Sequence, residues 1–270
     1  MAVNVNADRI LELLRENAAT NIMPYFRNLQ ESDVEAKGHE EDLVTVADQQ
    51  SEQFLRDALE KSFPTMVVIG EEQVHADPSA LNALKGDKPV WVIDPVDGTY
   101  NFRHGTEYFG VILSLIHEGQ TLMGWHYYPL SDEVLAVEQG SGTWLGDERM
   151  AMKADGVEGS KAMTFLDVVN PPLFEKIKPI VEGLGISLEP AYRCSAYDYR
   201  LLVTNEVQCL LSTSSKIWDH GAGQLMVTEA GGVRVHFNGK PYSPLYESAG
   251  QMCVVDQRFI DGLSPIFELV

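Results

Sequence analysis

Asp94 and Asp97 flank a Pro-Val pair, and Gly98-Thr99 follow at once, so two carboxylates and a sharp turn share six residues. Like charges this close repel strongly in a partly desolvated cleft, and a hard divalent cation with oxygen ligands is the usual compensation. Pro95 fixes its own φ and lacks an N–H, while Gly98 lets the backbone approach closely, so the N–H groups that follow can face an anion. The turn reads as a place for metal and phosphate together. An Asp-Gly pair alone is commonest in a plain reverse turn, so context has to decide. Here the apolar run 90–93 feeds straight into Asp94, a second apolar run at 66–69 delivers Gly70, Glu71 and Glu72, and Trp218-Asp219 open a helical pattern. Taken singly, an Asp in a helix's first turn is often only a cap or dipole partner.

The elements that must position these groups follow from periodicity. Ile10, Leu13, Leu14, Ala18, Ile22 and Phe26 recur at helical spacing and predict an amphipathic helix over 8–27. The polar stretch 30–42 reads as a mobile loop. Val46, Phe54, Leu55, Ala58 and Leu59 predict a second helix, ended by Phe63-Pro64, with Asp48 in its first turn. The runs 66–69 and 90–93 are expected as buried strands, and 108–117, 121–128 and 132–139, separated by turn residues, as an antiparallel meander. Periodicity lapses over 150–160, which suggests a boundary near 155 between an N-terminal α+β half, 1–155, and a C-terminal α/β half, 156–270. Beyond it, strands at 162–169, 207–212 and 233–237 are expected to alternate with helices at 172–184, 195–204 and 219–230. No internal repeat is present.

Composition narrows the function classes. The chain has 40 acidic against 20 basic residues, a formal net charge of −20, which repels the phosphate backbone that a nucleic-acid binder must neutralise. Direct nucleic-acid binding is not expected. No stretch approaches the roughly 20 apolar residues of a membrane span, and residues 1–10 lack a signal-peptide pattern, so a cytoplasmic protein is expected. The cysteines Cys194, Cys209 and Cys253 are odd in number and far apart, and read as reduced core thiols. His104, His126 and His220 are expected to make local hydrogen bonds rather than ligate a metal beside an oxygen-rich site.

The segments IGEE at 69–72, DPVDGTYNF at 94–102 and WDHGAGQLMVTEAGG at 218–232 together resemble the inositol monophosphatase family of lithium-sensitive phosphatases. The likeness runs from Lys37 and Asp42-Leu43-Val44-Thr45 with Asp48 to a strand at 250–255, nearly the whole chain. It implies an α/β (α+β) fold in a layered αβαβα sandwich, Mg²⁺-assisted attack by water with two to three ions, and commonly a homodimer. Carried over residue by residue, Glu71, Asp94 and the carbonyl of Val96 would hold a first ion. Asp94 would bridge to a second ion, held also by Asp97 and Asp219, and a third, weaker ion would sit on Glu71. Thr99 and Asp48 would orient and deprotonate the attacking water, and the N–H groups of Gly98 and Thr99 would bind phosphate.

The substrate side departs from the family pattern. Inositol-preferring members carry a glutamate seven positions before the aspartate of the Trp-Asp pair, where this chain has Ser212. Lys216 lies close in sequence and is able to meet a second phosphate or an acidic substrate, although a solvated lysine is the simpler reading. Arg193-Cys194-Ser195 replace the Gly-rich start of the corresponding helix. Other phosphate chemistries fit less well, since there is no G-x-x-x-x-G-K-[ST] loop and the Asp94/Asp97 spacing is too long for an Asp-x-Asp nucleophile. The expected function is hydrolysis of inositol 1-phosphate or a similar small polyol or sugar phosphate. The alternatives are a fructose-1,6-bisphosphatase-like or histidinol-phosphatase-like activity, or the regulatory protein-binding role of extragenic suppressor relatives.

Overall fold

In a computed structural model, residues 5–36, 43–213, 216–245 and 250–269 are described. The chain builds two sheets that stack with helices between and outside them. The larger has seven strands in the order 67–70, 90–97, 110–117, 120–128, 133–138, 142–145 and 148–149. Its first pair is parallel and the rest antiparallel, so the expected meander is present and runs two strands further than the sequence suggested. The smaller sheet has five strands in the order 187–190, 161–164, 209–212, 251–254 and 233–236. The first three run parallel and the last two pair antiparallel.

Alternation along the strand Val90–Asp97 decides which layer meets which. Trp91 and Ile93 face an outer layer made by the helices Ala7–Asn17 and Val46–Ser62, and pack with Ile10, Leu14, Leu55 and Leu59. Val90 and Val92 face the other way, onto Ile217 and Trp218 at the start of the helix Ile217–Glu229. A two-residue period therefore aims Asp94 at that same helix. Ile217–Glu229 is buried on nearly every side because it lies between the sheets, with the helix Ser195–Val203 beside it. A helix apolar all round is what that position demands. The helices Pro171–Gly183 and Gln257–Leu263 cover the far side of the smaller sheet, completing the αβαβα order.

Three local expectations are corrected. The first helix does not run to residue 27. It is α-helical over Ala7–Asn17, widens to a π turn over Ala18–Ile22, with Met23 N–H donating to the Ala18 carbonyl, and stops. Pro24 has no N–H to continue the ladder. The polar stretch after it is not all loop, because Val34–Ala36 pairs antiparallel with Leu43–Thr45; residues 37–42 lie outside the described set. The strand expected over 162–169 ends at Thr164, whose hydroxyl accepts the Leu166 N–H at 3.1 Å and turns the chain into the short helix Leu166–Val169. The three cysteines are buried free thiols. No described helix is long and apolar enough to cross a membrane.

The middle layer closes tightly on the larger sheet. A Cβ added at Gly124 would lie 2.6 Å from the Cβ of Ala222 and 2.9 Å from its Cα. Gly124→Ala is therefore expected to destabilise the fold by about 1–3 kcal/mol, the usual cost of overpacking a close contact. Thermal unfolding measures it, and an unchanged midpoint would mean that the helix can back away without loss.

Candidate functional site

Helix Val46–Ser62 starts from a capping box, in which Thr45 and Asp48 satisfy each other's backbone and side-chain groups. Asp48 Oδ2 accepts from the Thr45 N–H at 2.8 Å and from the Thr45 hydroxyl at 2.6 Å, which leaves Oδ1 facing Thr99. The Thr99 hydroxyl lies 3.1 Å from Asp48 Oδ1 and 2.9 Å from the Val96 carbonyl, so it has one proton for two acceptors. Ser51 and Glu52 lie one turn further along the same face. Ser51 donates to the Pro95 carbonyl at 3.1 Å, and Glu52 accepts from the N–H groups of Glu72 and Gln73 at 2.8 and 3.0 Å. One helix face thus holds the turn that carries Asp94 and the start of the short helix Glu71–Ala76. Arg56, 3.1 Å from Glu52, offsets the charge placed there.

Between Asp94 and Asp97 the pairing with the strand Gly110–His117 shifts register, and Pro95 sits in this irregularity. A bulge is where a strand tolerates proline and re-aims its side chains. Gly98 follows at φ +85°, and a Cβ there would come within 2.7 Å of the Tyr108 carbonyl oxygen. Both constraints demand glycine. The Asn101 amide then ties the turn to a distant loop, donating to the carbonyls of Tyr108 at 2.8 Å and Tyr192 at 2.7 Å.

Glu71, Asp94 and Asp219 come together, with carboxylate oxygens all within 4.8 Å of one another. Asp94 is buried, and its Oδ1 has no hydrogen-bond partner among the described residues. Burial, then the charge of Glu71 and those of Asp97, Asp219 and Asp48, hold its carboxyl well above the usual carboxylate range. A buried acceptor without a donor, in a set of hard oxygen ligands, fits a divalent cation.

Asp97, which is close enough to Asp94 and Asp219 to feel their charge, is engaged by the helix Ser195–Val203. Its Oδ1 accepts from the Ser195 N–H at 3.1 Å, and its Oδ2 from the Ala196 N–H at 2.6 Å and the Cys194 thiol at 3.0 Å. Burial and the charge of Asp219 push its carboxyl up to about 7, against the pull of these donors. Burial and the charge of Asp97 raise the Cys194 thiol well above its ordinary value, so it stays protonated and able to donate.

A cleft of about 600 Å³ opens beside these groups, lined by Asp97, Asp219, Ser195, Ser212 and Lys216 and by the apolar Phe165, Leu166 and Val169. The expected substrate-side residues therefore share one cleft. Lys37 and Asp42, named in the resemblance, lie outside the described residues. His220 turns from the cluster to the Tyr199 hydroxyl, 3.0 Å away, and His104 to the Tyr100 carbonyl at 2.7 Å. His126 is buried against the Tyr199 ring, and burial pushes it and His220 down to about 3. Sequence reasoning missed Ser51, Glu52, Asn101 and the thiol of Cys194. Only the first two left a local signal, as polar residues on the inward face of an amphipathic helix.

The model of the inositol monophosphatase family matches residues 6–263. The chain is 30% identical over 226 residues to the Nus factor SuhB of Pasteurella multocida, covering 81% of this chain and 80% of that protein. It is 29% identical over 214 residues to the fructose-1,6-bisphosphatase/inositol-1-monophosphatase of Thermotoga maritima, covering 77% and 76%. A solved IMPase/NADP phosphatase, complexed with Mg²⁺ and phosphate, superposes with a TM-score of 0.79 at 20% identity, over 96% of this chain and 93% of that one.

Removing one charge from the crowded trio should relieve repulsion in the metal-free protein. Asp94→Asn is expected to unfold at a higher temperature than wild type in EDTA, and to gain less from added Mg²⁺. A lower midpoint in EDTA, with the usual gain on adding Mg²⁺, would show that the charge at Asp94 is not the destabilising element.

Proposed function

The chain belongs to the inositol monophosphatase family, and from that premise we propose that it is a magnesium-dependent phosphomonoesterase acting on inositol 1-phosphate or a similar small polyol or sugar phosphate. The observation that carries the reading is the convergence of Glu71, Asp94 and Asp219 around a buried carboxylate oxygen with no partner among the described residues. Glu71, Asp94 and the Val96 carbonyl would hold one ion, and Asp94, Asp97 and Asp219 a second. A third, weaker ion would rest on Glu71. Bound there, divalent cations would acidify water and neutralise the charge that grows on the attacking and leaving oxygens.

The chain's own groups divide the remaining work. Asp48 has one oxygen locked by Thr45, so the other accepts a proton from Thr99 as Thr99 Oγ takes the proton of the attacking water. Two acceptors beside the Thr99 hydroxyl keep its lone pairs turned to the incoming water. The amides of Gly98 and Thr99 would bind the phosphate, an arrangement that Gly98's left-handed backbone permits. Ser195, Ser212 and Lys216 line the cleft and would meet the leaving group. Ser212 is neutral and short, so it gives no charge-assisted bond to a polyol hydroxyl, and broad selectivity among small esters is part of the reading. The intact carboxylate set favours an enzyme over a purely regulatory protein-binding role. A cytoplasmic homodimer belongs to the same proposal.

Initial rates on inositol 1-phosphate, glycerol 2-phosphate and nucleoside monophosphates, with and without Mg²⁺, test the activity. Turnover that needs Mg²⁺ is expected, and none on any ester would end the proposal. Thr99→Val should lower kcat by roughly 10²–10⁴, the range lost with a general base, while KM shifts little. A variant that keeps wild-type kcat would remove Thr99 from the chemistry. Lithium should inhibit at millimolar levels through the site of Asp94, Asp97 and Asp219. Equal rates in Li⁺ and in K⁺ at matched ionic strength would separate this site from the family pattern.

A further inference from the structure

Cys194 stands at the N-cap of the helix Ser195–Val203, yet its side chain makes no capping bond. Ser, Thr, Asp or Asn is the usual choice there, because a side-chain oxygen accepts from the amides of the first turn. Here Asp97, from a turn distant in sequence, accepts from the Ser195 and Ala196 N–H groups at 3.1 and 2.6 Å. The helix is capped from outside, and the thiol is left with another task. Arg193 at φ +55° turns the chain just before it, and Cys194 itself is extended, at φ −154° and ψ 106°. That kink aims the side chain back at the turn that carries Asp97 and Gly98. Its Sγ lies 3.0 Å from Asp97 Oδ2 and 3.6 Å from the Asp97 carbonyl oxygen, and a Cβ added at Gly98 would come within 3.1 Å of the Cys194 Cβ. The residue is 2% exposed, and a thiol so buried is inert as a nucleophile and acts through its proton.

A carboxylate offers about four lone-pair directions, shared equally by its oxygens. Both directions on Asp97 Oδ2 are occupied, by the Ala196 N–H and the Cys194 thiol, whereas Oδ1 has a single donor among the described residues, the Ser195 N–H. The direction that remains is on Oδ1. Without the thiol, Oδ2 would regain a direction of its own, and the group would be able to grip a cation with both oxygens. The difference bears on ion choice. The narrow bite of a two-oxygen carboxylate suits the loose shell of Ca²⁺, but it distorts the compact octahedron that Mg²⁺ demands.

We propose that Cys194 is a positioning residue for the second metal site: its thiol, held on Asp97 Oδ2, leaves Asp97 one ligating oxygen and so sets the preference of that site for Mg²⁺ over Ca²⁺. The proposal rests on the phosphatase reading, in which Asp94, Asp97 and Asp219 hold the second ion. A thiol that merely filled space against Gly98 would stabilise the fold without choosing between ions.

Calorimetric titration of the purified protein with Mg²⁺ and, separately, with Ca²⁺ tests this, with the unfolding midpoint in EDTA recorded for each variant. Cys194→Ala should weaken Mg²⁺ binding at one site by roughly tenfold or more, the usual loss when a partner of a ligating group is removed. Ca²⁺ binding should weaken far less, so the ratio of the two affinities narrows. Cys194→Ser keeps a donor at the same place and should recover most of the Mg²⁺ affinity. Cys194→Val suits the extended backbone and carries no donor, so it repeats the measurement if the alanine variant folds poorly. Wild-type Mg²⁺ affinity in a folded variant without a donor would overturn the positioning role and leave the phosphatase reading standing. Equal losses for Mg²⁺ and Ca²⁺, or a serine variant as weak as the alanine one, would do the same. No Mg²⁺ binding by the wild-type protein would overturn both.

Discussion

Mutual repulsion among crowded carboxylates, one buried and two half-buried, is the constraint around which this molecule is arranged. Glu71, Asp94 and Asp219 reach the site from three separate elements, and the burial of Asp94 weakens solvent screening of its neighbours' charge. Left to relax, such groups would drift apart or take up protons. The fold opposes the drift with hydrogen bonds to the elements that carry them, while burial and crowding favour the protonated form of Asp94. Along one face of Val46–Ser62, Asp48, Ser51 and Glu52 reach the Thr99 hydroxyl, the Pro95 carbonyl and the amides after Glu71. Hydrogen bonds to charged groups contribute about 1.5–3 kcal/mol each. A few of them suffice to hold a geometry that a cation then completes.

The third carboxylate depends on a different device. Asp219 is placed by the burial of Ile217–Glu229 between the sheets, so its position is set by packing of the whole middle layer. Gly124 and Ala222 bring that helix close to the larger sheet, and Tyr199 donates or accepts across to His220 from the neighbouring helix. That neighbouring helix begins at the residues whose N–H groups engage Asp97. The middle layer thus carries one carboxylate and restrains another. Packing of the core and geometry of the site cannot be varied independently here.

What the sequence disclosed was the part of this arrangement that is local. A strand that runs into Asp-Pro-Val-Asp-Gly is readable because proline, glycine and paired acids each leave a mark at fixed spacing, and the order of most strands and helices followed from periodicity. The partners that hold the turn were not readable. Glu52 looks like any acid on a helix until the chain at Glu72 and Gln73 folds over it, and Asn101 shows its purpose only against Tyr192. The π turn at Ala18–Ile22 escaped for a related reason. Buried Asn17 just before it donates to Ser51 on the second helix at 2.7 Å, a contact between elements that an apolar stripe does not record. The pairing of Val34–Ala36 with Leu43–Thr45 was hidden because its strands are three residues each, too short to show alternation.

The two sides of the cleft are built with different tolerance for change. The carboxylate side is tied into three layers: Asp48 is locked by Thr45, Asp94 is buried in the sheet, and Asp219 rides on the central helix, so a substitution there disturbs packing as well as chemistry. The opposite side is made largely by loop residues and element ends: Phe165 after one strand, Arg193 and Cys194 before a helix, Ser212 at the end of a strand. Arg193 lies across the rings of Tyr100 and Phe165, whereas Cys194 is buried with its thiol on Asp97 and is the exception on this wall. Ser212 is a neutral residue on that side and Arg193 a charged one held against strain. That distribution lets a fold keep one hydrolytic apparatus while the group attached to the phosphate is chosen by a few residues on the other wall.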